Sequence, residues 1–289
     1  MIGRAWRWFV DHMLLYEGPT RGVALMRILL VGIIWTKYAA KLMPFRVFHD
    51  TLELSMAMTF YVASTLMFVG LWSRVSTGVT GALLMIYYYY QGLTLDDDFF
   101  IHHHTYLLNI GTLFLAFTDC GKSLSVDRWL ALRRARHRGE SPPREWGVLW
   151  GLRLIAFQMV MVYVWGAWDK THLAFGDRME HYHMNLFFGS DYPPFVGFST
   201  LMAGLAVFTV AIEYILPFAL IWPRTRAAAV WIGIALHIVF YLVLPVATFS
   251  ATMLLFYVAF LDQRSIHHVI DQMLGSEGQT DAYAKAPSS

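Results

Sequence analysis

Eight blocks of mostly apolar residues constrain this chain more than any other feature. They run over residues 24–44, 54–72, 76–94, 104–118, 147–168, 197–222, 227–246 and 248–262. The hydrocarbon core of a bilayer is about 30 Å thick, and a helix needs roughly 20 apolar residues to cross it. With no water to satisfy backbone N–H and C=O groups there, a chain crosses as helices or as a closed barrel. Runs of this length predict an all-α fold: a polytopic membrane helical bundle with about eight transmembrane helices. The run at 104–118 is short for a full crossing. The last two runs are divided only by Pro245 and its neighbours and read as a hairpin.

Composition points the same way. Hydrophobic residues make up 57% and charged residues 15% of the 289, against about 45–50% and about 25% in soluble domains. Many of the 11 Trp and 15 Tyr stand where runs end, as interfacial belts do. The single cysteine, Cys120, excludes an intrachain disulfide. The expected organisation is an amphipathic N-terminal segment over 1–20 (Trp6, Phe9, Val10, Met13, Leu14), a transmembrane domain over 21–265, and a cytoplasmic, partly disordered tail over 266–289. The first segment reads as an interfacial helix, not a cleavable signal.

Charge sets the expected orientation. Fifteen of the 22 basic residues fall on segments that eight crossings place on one side: Arg4, Arg7, Arg21, Arg74, Lys122, Arg128, Arg133, Arg134, Arg136, Arg138, Arg144, Arg224, Arg226, Arg264 and Lys285. The positive-inside rule makes that side cytoplasmic, with both termini inside. The basic loop at 119–146 reads as a topology signal in contact with anionic membrane lipids; nucleic acid is not an expected partner.

The opposite side receives the residues with chemistry to offer. In Asp96-Asp97-Asp98-Phe99-Phe100-Ile101-His102-His103-His104, three consecutive His cannot share a helix side, because successive residues turn by about 100°. A metal site from this run alone is not expected. Asp98 with His102, or Asp97 with His104, would share a helical face at i,i+4 or i,i+7, giving two ligands or a His oriented by a carboxylate. His104 leads directly into a span, where an ionisable group is costly. Lys170 closes the fifth run in Tyr163-Val164-Trp165-Gly166-Ala167-Trp168-Asp169-Lys170. Such a Lys either snorkels to the headgroups or, when desolvated, serves as a base. Arg27, Gln158, Glu213 and His237 are polar groups inside apolar runs. Arg27 and Glu213 are the costly ones, read either as an interior ion pair or as functional groups. His181 and His183 are spaced for one face of a strand, a weak metal signal.

Four stretches resemble the HTTM domain, the membrane domain shared by vitamin K-dependent gamma-glutamyl carboxylase and many bacterial homologues. They are Gly18-Pro19-Thr20-Arg21-Gly22-Val23-Ala24-Leu25-Met26-Arg27; His104-Thr105-Tyr106-Leu107, followed by Phe117-Thr118-Asp119 and Ser125-Val126-Asp127; Gln158-Met159-Val160-Met161-Val162-Tyr163 with Gly166-Ala167 and Asp169-Lys170; and Glu213, Arg226 and His237 at the family's spacing. The resemblance implies that Lys170 is the base deprotonating a vitamin K-type (menaquinone) hydroquinone, and that His104 assists at the same site. Asp169 and His103 stand where the family has Lys and Asn. The carboxylase's large lumenal domain has no counterpart here, so carboxylation of a protein Glu is not the expected activity.

The resulting expectation is a membrane enzyme acting on a quinol or other lipid-soluble substrate, on the non-cytoplasmic side of a bacterial inner membrane. Lys170 would be the base and His104, with Asp97 or His103, the orienting group. Arg27, Gln158, Tyr163, Glu213 and His237 would line or brace the cavity. The rival expectation is a non-catalytic transporter or scaffold, in which Lys170 snorkels and the buried polar residues form a structural network.

Overall fold

The computed structural model describes residues 16–44, 50–172, 175–184, 188–189, 192–244 and 246–274. Most of the expected N-terminal amphipathic segment, the turn at Pro245 and the tail from 275 lie outside the described residues. The chain divides into two compact units, Met1–Ala156 with Leu236–Ser289, and Phe157–Ala235. They are called unit 1 and unit 2.

The elements of unit 1 are β1 (Glu17–Pro19), α1 (Arg21–Tyr38), α2 (Thr51–Val69), α3 (Ser73–Tyr87) with a π-helical turn (Tyr88–Thr94), α4 (His103–Leu115), α5 (Val126–Arg138) and β2 (Trp146–Val148). Helix α6 (Trp150–His172) leads into unit 2, which continues with α7 (Phe175–His183) and α8 (Phe198–Ile221). Helix α9 (Arg226–Val243) returns to unit 1, where α10 (Ala247–Phe256), a 3₁₀ turn (Tyr257–Phe260) and α11 (Gln263–Leu274) follow.

Each of the eight apolar runs contains a helix, but among the described residues three helices are both long and apolar enough to cross a membrane: Thr51–Val69, Trp150–Thr171 and Phe198–Ile221. The other runs fall short for identifiable reasons. Helix α1 carries Arg21, Arg27 and Lys37. Helix α3 passes into the π turn after Tyr87. Helix α4 has 13 residues, about 20 Å at 1.5 Å per residue. The last two runs make the shorter apolar helices Arg226–Leu242 and Ala247–Phe260.

Helix α1 is the core of unit 1, with Val23, Ala24, Met26, Leu30, Val31, Ile34 and Tyr38 fully buried against α2, α4, α10 and α11. Local signals place the ends of its neighbours. Asp50 caps α2 by accepting from Leu52 N and Glu53 N at 2.7 and 3.0 Å, and α2 ends at Gly70 in the left-handed region, where a side chain is disfavoured. Ser125 caps α5 through Arg128 N at 2.9 Å, and Arg136, His137 and Arg138 complement its C-terminal dipole.

One end of unit 1 gathers segments far apart in sequence. Strand β1 pairs antiparallel with β2, Gly18 opposite Gly147. Arg21 holds Glu145 at 2.6 Å and also Asp271 on α11. Arg128 lies 3.4 Å from Glu145, and His267 lies 3.5 Å from Asp271. Residues 266–274 of the expected tail region thus belong to an ordered helix, Gln263–Leu274, with His267 and Asp271 buried.

Candidate functional site

The residues the sequence singles out separate into two kinds of environment. Arg27, in unit 1, is fully buried, and the expected ion pair with Glu213 is replaced by a backbone clamp. Its Nε donates to Cys120 O at 3.2 Å, Nη1 to Met67 O and to Phe68 O (2.8 Å), and Nη2 to Leu124 O at 2.7 Å. Two of these carbonyls lie in the last turn of α2 and two in the loop after α4, so one guanidinium ties both to α1. A Cβ at Gly70 would stand 2.8 Å from the guanidinium carbon. Asp127 completes the joint by accepting from Trp72 N (2.9 Å), Ser73 N (2.7 Å) and Ser73 Oγ (2.8 Å). Trp72 and Leu124 both have positive φ, an uncommon conformation for bulky residues, and each is held by one of these two side chains. Asp119 accepts from Val148 N at 2.9 Å. The stretches Phe117-Thr118-Asp119 and Ser125-Val126-Asp127 therefore shape the loop through backbone hydrogen bonds.

The aspartate–histidine run behaves differently from expectation. Asp97 accepts from Phe99 N at 3.0 Å and pairs with Lys41 at 2.8 Å, so it does not orient His104. Residues 97–102 are turn and extended chain, and α4 starts only at His103; the i,i+4 and i,i+7 faces therefore never form. His103 is exposed and His104 half-buried, with the rings of His102 and His104 stacked at 4.9 Å. Lys37 and Lys41, which the sequence reading passed over, lie over the Phe99 ring at 4.0 and 5.4 Å. His237 is fully buried among the rings of Phe240, Phe249 and Tyr257. His181 and His183 sit on helix α7, not a strand. At i,i+2 they point about 200° apart, and His183 Nδ1 lies 2.6 Å from Met179 O.

Unit 2 holds the arrangement with chemical potential. On α6, Met159, Tyr163 and Ala167 form a buried stripe, with Gln158 half-buried beside it and Lys170 at its end. On α8 the stripe is Met202, Ala206, Thr209, Glu213, Leu216 and Leu220, the three-and-four spacing of one helix face. Lys170 Nζ meets both Glu213 oxygens, Oε1 at 2.6 Å. The Glu213 side chain is 5% exposed and that of Lys170 26%. The pair reaches across Gly166, where a Cβ would lie 3.6 Å from Nζ. Pro217, inside α8, lacks the N–H that would bond the Glu213 carbonyl.

The ammonium end opens on a groove of about 500 Å³, lined by Lys170, Thr171, Phe175, Gly176, Ala203, Ala206, Val207, Val210 and Ala211. Gly176 and the alanines let α7 pass close to α8, and Lys170 Nζ stands 5.6 Å from the Phe175 ring centre. A trough of this size, apolar along its length with one charged group at its end, has the character of a small-molecule site.

The family model described as the HTTM domain matches residues 32–264. The chain belongs to the HTTM domain family. It is therefore a helical membrane protein, and the HTTM interval contains His104, Gln158, Lys170, Glu213 and His237, while Arg27 lies just before it. No curated protein and no solved structure matches the chain.

Sequence reasoning chose Lys170 and Glu213 separately, without pairing them. It passed over Glu145, His267 and Asp271 entirely. A signal for the last two existed in their i,i+4 spacing on an amphipathic stretch. Their partner Arg21 is 250 positions from Asp271, beyond any local pattern.

Proposed function

We propose that the Lys170–Glu213 pair is the proton-accepting site of a membrane enzyme that works on a quinol or another lipid-soluble hydroxyl compound, related through its membrane domain to vitamin K-dependent gamma-carboxylase. One observation carries this reading: an ammonium, held by a buried carboxylate, ends an apolar groove. A snorkelling Lys would extend to water and leave Glu213 uncompensated, at a cost of several kcal/mol.

In a low-dielectric site the separated charges of an ion pair are penalised relative to the neutral amine and carboxylic acid. Lys170 Nζ, once its proton has passed to a Glu213 oxygen, is a neutral amine facing the groove, and it accepts a proton there. Glu213 holds the first proton and keeps the total charge of the pair unchanged until Nζ is reprotonated. The lining fits a vitamin K-type (menaquinone) hydroquinone: alanine and valine side chains for an isoprenoid tail, the Phe175 ring for the head, and Nζ beside its oxygen. Such a quinol, when bound, supplies a phenolic hydroxyl. His104 belongs to this proposal through the family resemblance alone.

Eight crossings in a bacterial inner membrane, with both termini cytoplasmic, remain our reading of topology. The gathering of residues 17–21, 70–74, 119–149 and 262–271 at one end of unit 1 supports it.

The test separates charge from basicity. Arg at 170 keeps the ion pair with Glu213 but does not release its proton in proteins. Lys170→Arg in nanodiscs is expected to keep the wild-type melting temperature and lose roughly 10²–10⁴ in quinol turnover, the range of a general base. Full turnover in a folded Lys170→Arg variant would remove the base role and favour the rival reading, a transporter or scaffold in which the pair only ties α6 to α8.

A further inference from the structure

Unit 1 carries a second cavity, at the end where β1, β2 and α11 assemble. Its volume is about 590 Å³, and four cationic side chains line it: Arg74, Lys122, Arg128 and Arg144. They come from the first turn of α3, the loop after α4, the first turn of α5 and the loop before β2. Segments this distant do not bring four like charges together without an electrostatic cost, which an anion relieves.

Two carboxylates share the wall, Asp119 and Asp127, and both are occupied in shaping it. Asp127 accepts from Trp72 N, Ser73 N and Ser73 Oγ. Asp119 accepts from Val148 N and pairs with Lys122 at 2.9 Å. Glu145, which pairs with Arg128 from behind the wall and is shared with Arg21, brings the count to four cations against three carboxylates, so the cavity keeps a positive excess. The Arg128 side chain is only 10% exposed, with its Nε 3.4 Å from Glu145 and its Nη1 donating to the Pro143 carbonyl, so its guanidinium is fixed in the cavity wall. Arg144 is exposed at the rim.

The cavity's depth is marked independently. Trp72, next to Ser73, is 68% exposed, and Trp129, next to Arg128, is 56% exposed. Exposed indoles of membrane proteins settle at the headgroup level, so the cavity opens where lipid phosphates lie. We infer that this cavity binds a phosphoryl anion, presented as the headgroup of an anionic phospholipid. Guanidinium forks match phosphate oxygens in pairs, and the lysine adds a point charge.

The experiment titrates the detergent-purified full chain with dioleoyl-phosphatidylglycerol or dioleoyl-phosphatidylcholine and counts bound lipid by native mass spectrometry. The glycerol lipid is expected to bind at least about tenfold more tightly. Each surface cation contributes about fivefold, so Lys122→Gln/Arg144→Gln weakens it on the order of thirtyfold, and Arg144→Gln alone, at an exposed position, about fivefold. Lys122→Arg/Arg144→Lys restores binding. Arg133→Gln/Arg138→Gln, two exposed charges of α5 outside the cavity lining, stays near wild type. Displacement of the lipid by millimolar inorganic phosphate supports the phosphoryl site and assigns its occupant to soluble phosphate. Equal binding of the two lipids, or equal weakening by the two glutamine pairs, overturns the inference.

Discussion

Arg27 and Lys170 are both cations within apolar helices, yet their surroundings differ in kind. Arg27 is fully buried and directs all three of its nitrogens to backbone carbonyls, through four hydrogen bonds. Lys170 is partly open, held by one carboxylate, with a groove beside it. The cost of an ionisable group in a membrane is therefore met in two ways. A guanidinium that spreads four hydrogen bonds over the backbone of two segments fixes a joint, whereas an ammonium shared with a single carboxylate can exchange its proton. Burial alone does not distinguish a functional charge from a structural one; the identity and number of its partners do.

The largest effect that would break this contrast is at Arg27. Arg27→Ala strands four backbone carbonyls, two in fully buried and two in partly buried hydrogen bonds, and each unsatisfied buried group costs about 1–3 kcal/mol. We expect a loss of at least about 4 kcal/mol, seen as failure to purify as a monodisperse species or a collapse of the melting temperature in detergent. A variant as stable as wild type would show that the clamp is dispensable and dissolve the contrast.

A smaller effect is expected at the other cation. Glu213→Gln leaves the Lys170 ammonium beside a neutral amide, and Lys170→Gln leaves the carboxylate alone. Each should cost about 1–3 kcal/mol, less than the 3–5 of a fully enclosed pair because Lys170 reaches solvent. The double variant should recover most of that loss in thermal melts, since no charge then remains uncompensated. Additive losses would mean that the two side chains do not act as a pair.

The smallest effect concerns a third buried cluster, outside the spans. Burial, and then the positive charge of Arg21, hold the His267 imidazole below its usual range. The unfolded chain, with an ordinary His near 6.5, therefore binds more protons below that pH than the folded one. The stabilising contribution is complete above about pH 6.5 and is lost as the pH falls toward the folded value. Protection against hydrogen exchange at α11, taken relative to the intrinsic exchange rate at each pH, should fall from pH 7.5 to 5.5 in the wild type. His267→Gln should flatten that dependence, with a shift of about 1 kcal/mol or less. An unchanged pH profile in the variant would exclude His267 as the titrating group.

These three sites show where sequence reasoning reaches and where it stops. The apolar runs, the basic loop at 119–146 and the singling out of Arg27, Lys170 and Glu213 were all legible, because burial and charge cost act on each residue or short window by itself. Which of the apolar runs make single long helices was not legible, since hydropathy averaged over a run does not see the π turn after Tyr87 or where the three charges on α1 stand.

Partnership was not legible. Lys170 and Glu213 are 43 positions apart, Arg27 and its carbonyls up to 97, and Arg21 and Asp271 250. Asp97 looked like a partner for His104 on a continuous helix, but the turn at 97–102 gave it Lys41 instead. By itself the sequence determined that the chain is a helical membrane protein and which residues would be costly to bury there. Only the tertiary structure decided what compensates each of them, because hydrogen bonds and ion pairs act over about 3 Å in space and carry no signature along the chain.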